Sequence, residues 1–110
     1  DRVLEARTRL EQLQAMEAQQ RQAVELEVRQ AYLNLQSARE EQVGADALLL
    51  QAQEALRIAN VRFEAGVGTS LEVLTAQTSF SEAETAKAQA QYNYSTARAA
   101  LEKAVGDVLP

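Results

Sequence analysis

Sixteen aspartates and glutamates in 110 residues are the side chains best able to do chemistry in this chain. The pairs Glu25 with Glu27, Glu40 with Glu41 and Glu82 with Glu84 lie close enough to suggest acid–base work or a shared cation. Acid–base catalysis needs carboxyls whose pKa is displaced by burial or by a neighbouring charge in a cleft. Histidine and cysteine are both absent, which removes the commonest general base, the thiolate nucleophile and the usual zinc ligands. The carboxylates therefore read as solvated helix faces. The chain reads as no enzyme, with no cofactor and no metal site. Glycines ahead of a helix start, as in Gly66-x-Gly68-Thr69, can also cradle phosphate. Here no strand precedes them and no lysine follows at the required place, so a phosphate loop is not expected.

Composition narrows the architecture. Alanine occurs 21 times and glutamine 13 times, against four glycines, one proline and five aromatic residues. Such a chain suits long helices and starves strands, so the fold class is all-α. The formal charge of -5 and the absence of a basic segment argue against nucleic acid as a partner. The longest apolar run, Ala47-Leu48-Leu49-Leu50, is far short of the roughly 20 residues a spanning helix needs. Asp1-Arg2-Val3 begins no signal-peptide pattern. Nine of the eleven basic residues are arginines dispersed among acids, which suits helix-on-helix association better than a lipid surface.

Punctuation is sparse. Gly44 stands alone in a helical pattern and costs about 1 kcal/mol relative to alanine, so the helix is expected to run through it. Gly66 to Ser70 is the only clustered break; Gly106 and Pro110 read as a later stop. The organisation expected is one hairpin over residues 1–110: a helix at 3–65, a tip turn at 66–69 and a helix at 70–105. At roughly 1.5 Å per residue the arms would be about 95 and 54 Å long. A turn this short folds the second helix back antiparallel to the first. Gly66 suits the left-handed C′ position of a Schellman ending, with Val67 expected to touch Val61. Thr69-x-x-Glu72 reads as a reciprocal capping box.

A seven-residue repeat sets the seam. Val28, Leu35, Gln42, Leu49, Leu56 and Phe63 form one column, and Ala31, Ala38, Ala45, Ala52 and Ala59 form the next. The second helix repeats this with Val73, Phe80, Lys87, Tyr94, Leu101 and Val108, then Ala76, Ala83, Ala90, Ala97 and Ala104. A large residue over an alanine lets two helices approach closely in a coiled coil. Facing unlike columns requires paired residue numbers to sum to 132 or 139, and a turn near Val67 favours 132. Ala59 would then oppose Val73, and Leu49 would oppose Ala83. Gln42 and Lys87 fall in neighbouring layers, where they either pair or each snorkel outward. Residues 1–27 extend beyond the shorter helix and need cover from outside the hairpin.

The stretch Arg62-Phe63-Glu64-Ala65-Gly66-Val67-Gly68-Thr69-Ser70-Leu71-Glu72-Val73-Leu74-Thr75-Ala76-Gln77 resembles the periplasmic tip of the outer membrane efflux protein (TolC-like) family. Glu27 to Leu35 is similar to that family's long-helix segment, and Tyr92 to Gly106 to its returning helix. The resemblance implies the C-terminal one of two helical hairpins per protomer, in the periplasmic α-barrel of a trimeric outer-membrane channel of Gram-negative bacteria. Membrane contact would lie in β-strands outside this sequence. It implies a periplasmic adaptor as partner, and through it an inner-membrane pump, in multidrug export or type I secretion. By motif position, Gly66, Val67, Gly68 and Thr69 would contact the adaptor. Glu72 matches an acidic position that narrows the entrance in some members, whereas Thr75 lacks charge at the next. Phe63 and Gly68 lack the side chains of a closing network. On this reading Gly68→Leu should obstruct docking with the turn intact, and Gly66→Val should damage the turn itself.

Two other readings share the helical pattern. An adaptor's own α-hairpin carries Arg-x-x-x-Leu at its tip, but here Gly66 follows Arg62 by four residues. A free-standing scaffold dimer would form a four-helix bundle.

Overall fold

The computed structural model describes residues 1–108 and contains two helices, α1 (Arg2–Glu64) and α2 (Ser70–Val108). They fold as an extended antiparallel hairpin measuring 96 × 21 × 13 Å. The all-α class and the hairpin follow from a composition rich in helix formers with one clustered break. Glu5 in the first turn of α1, Arg62 in its last and Glu72 in the first turn of α2 all complement the helix dipoles.

Gly44 lies inside α1 on an exposed face, and a Cβ there would meet nothing within 4 Å. Packing therefore makes no demand for glycine at that point. Gly106 is helical too: α2 continues through it to Val108, three residues beyond the end expected at 105. A lone glycine costs about 1 kcal/mol, too little to end a helix still held by Ala104 in the seam. Pro110, expected as the stop, lies outside the described residues.

Among the described residues the buried side chains are all alanines: Ala31, Ala38, Ala45, Ala52 and Ala59 on α1, with Ala83, Ala90 and Ala104 on α2. Ala76 and Ala97 are half-buried. Of the large column on α1, Val28, Leu35, Gln42, Leu49 and Leu56 are half-buried. Phe63 departs from the pattern and is 50% exposed, because at the last turn the tip replaces the facing helix. On α2, Val73, Phe80, Lys87, Tyr94 and Leu101 are half-buried. The core is thus a line of methyl groups roofed by larger side chains.

Polar pairs on the flanks record the register. Asn93 Nδ2 donates to Glu41 Oε1 at 3.2 Å, Lys87 Nζ lies 3.6 Å from Asp46 Oδ1, and Arg62 Nε lies 3.7 Å from Glu72 Oε2. Each pair is within about two residues of the sum-132 register and well short of 139. Lys87 leaves the seam for Asp46 rather than pairing with Gln42, so its long stem covers apolar surface while its charge stays wet. Residues 2–23 are exposed along their whole length, with Val3, Leu4, Leu10, Leu13 and Met16 uncovered by α2.

Candidate functional site: the hairpin tip

Helix α1 ends in a Schellman motif. Ala65 is the C-cap at φ -78° and ψ -6°, and Gly66 takes φ +80°. The Val67 amide donates to the Arg62 carbonyl at 3.0 Å and the Gly66 amide to the Phe63 carbonyl at 3.0 Å. These two bonds satisfy carbonyls the helix would otherwise leave without partners. The Gly68 amide adds a third bond, again to the Arg62 carbonyl, at 2.9 Å. With Arg62 at C3 and Val67 at C″, Val61 takes the C4 position, and Val61 and Val67 are 52% and 66% exposed.

Helix α2 starts with half of the capping box. The Glu72 amide donates to Thr69 Oγ1 at 3.1 Å, and the Val73 amide to the Thr69 carbonyl at 3.4 Å. The return bond from the Thr69 amide to the Glu72 carboxylate is missing among the described residues. Arg62 explains its loss, because its guanidinium draws the carboxylate across the turn. Thr69→Ala removes the remaining side-chain cap and is expected to cost about 1 kcal/mol. Thermal unfolding followed by circular dichroism checks this, with Thr69→Ser as the near-neutral control.

The two tip glycines are needed for different reasons. At Gly66 the left-handed backbone strains any L-residue, although a Cβ would have open space. At Gly68 the constraint is room: a Cβ would lie 3.0 Å from Arg62 Cβ, 3.0 Å from Glu72 Oε2 and 3.2 Å from the Arg62 carbonyl carbon. Gly68→Leu therefore bears on the turn's own packing as well as on any docking surface. The turn folds tightly onto Arg62, and a side chain at 68 requires Arg62 and Glu72 to give way by a few tenths of an ångström.

The tip therefore brings together Gly66, Val67, Gly68, Thr69 and Glu72, and it adds Arg62, whose role the motif reading did not assign. Its signal was in the sequence: in the sum-132 register Arg62 and Glu72 stand on the same flank. Beside them, Ala55, Ile58 and Ala59 of α1 face Leu71, Ala76 and Ser79 of α2 across a shallow apolar groove. Thr75 also borders that groove. Elsewhere on α1, the hydrogen bond and charge of Arg57 hold the exposed Glu54 carboxyl below its ordinary range.

The geometry defines a capped, solvent-facing turn carried on a long helical ribbon, a surface suited to contact rather than to bond making. Residues 2–107 match the family model for the outer membrane efflux protein, and the chain belongs to that family. No curated protein and no solved structure matches it. The family is one of efflux components, which sets the chain among transport proteins and lends no support to the adaptor-hairpin or scaffold readings.

Proposed function

We propose that this hairpin is a wall segment of the periplasmic α-barrel of a trimeric outer-membrane efflux or secretion channel, and that its tip docks a periplasmic adaptor. The adaptor in turn connects the channel to an inner-membrane pump. The observation that carries this reading is the conjunction of family membership over nearly the whole chain with an apolar Val67, 66% exposed, held between a Schellman ending and the Thr69 cap. Exposed apolar residues on a rigid loop lose little ordering entropy on binding. In this reading Gly66 and Gly68 keep the turn low, Val67 is the contact, and Thr69 starts the returning helix. Glu72 reaches the entrance as one half of an ion pair rather than as a free carboxylate. The uncovered stretch 2–23 would pack on neighbouring helices of the barrel.

Val67→Asp in the full-length channel tests the reading. An exposed side chain can change without strain, so channel abundance and trimer yield should match wild type. Export should fall to near background. Normal export at normal abundance would place the partner contact elsewhere.

A further inference from the structure

Both backbone polar groups of Val67 are held by one residue. The Val67 amide donates to the Arg62 carbonyl at 3.0 Å, and Arg62 Nη2 donates back to the Val67 carbonyl at 3.4 Å. The same guanidinium presents its Nε to Glu72 Oε2 at 3.7 Å, and the Arg62 carbonyl also accepts the Gly68 amide. Arg62 thus ties the last turn of α1, the exposed valine and the first turn of α2 through a single side chain. We propose that Arg62 is a positioning residue that sets the pose of Val67 for the partner. This inference rests on the tip being the docking surface.

The arrangement uses what arginine has and lysine lacks. A planar guanidinium offers donors in fixed directions, so one edge can meet a carboxylate while another meets a carbonyl. An ammonium is a point donor on a flexible stem and holds one of the two at a time. Arg62 and Glu72 are each about half exposed, and exposed ion pairs add little to folding stability. The benefit of the clasp therefore falls on preorganisation. A loop already fixed in its bound pose loses less entropy on association than one that must first be ordered.

The test uses the full-length channel with its own adaptor, and affinity is measured per assembled trimer so that channel yield does not enter. Arg62→Gln is expected to weaken adaptor binding about tenfold with trimer yield unchanged, and Arg62→Lys to recover only part of the loss. The double exchange Arg62→Glu with Glu72→Arg restores an ion pair but removes the donor to the Val67 carbonyl, so it should bind as weakly as Arg62→Gln. Recovery of full affinity by that exchange would overturn the proposal, since the pair alone would suffice. Wild-type affinity in Arg62→Gln, alongside lost binding in Val67→Asp, would also overturn it and leave the docking reading standing. Undiminished binding in both variants would remove the docking reading itself. A loss of trimers with full affinity among those that remain would make Arg62 a folding residue only.

Discussion

Ala90→Asp should separate α1 from α2 over several turns. Ala90 is 0% exposed in the alanine seam, which leaves no space for a longer side chain. Overpacking of this kind costs about 1–3 kcal/mol. A carboxylate buried there without a partner adds several kcal/mol more, which it avoids only by reaching water. Reaching water means opening the seam, because the flanking large residues roof the alanine line on both sides. Ala88→Asp is the control: Ala88 is exposed on the same helix, and its substitution should stay within about 0.5 kcal/mol. A spin-label distance across the hairpin at this level should lengthen and broaden for Ala90→Asp and stay sharp for Ala88→Asp. Equal behaviour of the two variants would show that the seam is not where the cohesion resides.

The second large effect is expected at the tip, where Gly66→Val and Gly68→Leu should both lower stability. Valine at Gly66 must hold a φ near +80°, a region that costs an L-residue about 1–2 kcal/mol and costs a β-branched one more. Leucine at Gly68 meets Arg62 Cβ and the Arg62 carbonyl carbon before its γ-carbon is placed. Those neighbours must shift, an overpacking expected to cost about 1–3 kcal/mol, and the 2.9 Å bond from the Gly68 amide is put at risk. Alanine discriminates between the two mechanisms. Gly68→Ala already introduces the crowded Cβ, whereas at Gly66 every L-residue bears the backbone cost irrespective of size. Thermal unfolding of the four variants, together with chemical shifts of the Val67 and Gly68 amides, reads both effects. A wild-type melting curve for Gly68→Leu would show that the turn has slack and would return Gly68 to a purely surface role.

Much of this was legible in the residues because the pattern is redundant. Ten alanines in heptad columns identify the seam, and the Gly66 to Thr69 cluster identifies the turn without tertiary information. The polar cross-helix pairs then agree with the register that the short turn favours. What escaped reading depended on two separated residues competing for one group. Glu72 is a good reciprocal cap by local sequence, but Arg62, ten residues earlier, takes its carboxylate. Local motifs carry no notice of such competition. Phe63 fits its column by spacing, yet a periodicity does not show that its partner helix has already given way to the turn. Gly106 reads as punctuation, but a cost of about 1 kcal/mol loses to a seam alanine two residues before it.

The continuity of α1 has a mechanical consequence. From Arg2 to Glu64 it is one continuous helix, without proline, through both its paired and its unpaired portions. Sharp kinks in helices need a proline, a bulge or a weakened backbone, and Gly44 is the nearest approach to one inside this rod. A strut of this kind carries a tilt rather than absorbing it. At 1.5 Å per residue the helix is roughly 93 Å long, so a rotation of only about 5° at the tip sweeps the far end through roughly 8 Å. A force applied at the turn is therefore felt as leverage at the opposite end. The exposed leucines and Met16 there are the points against which that leverage would act.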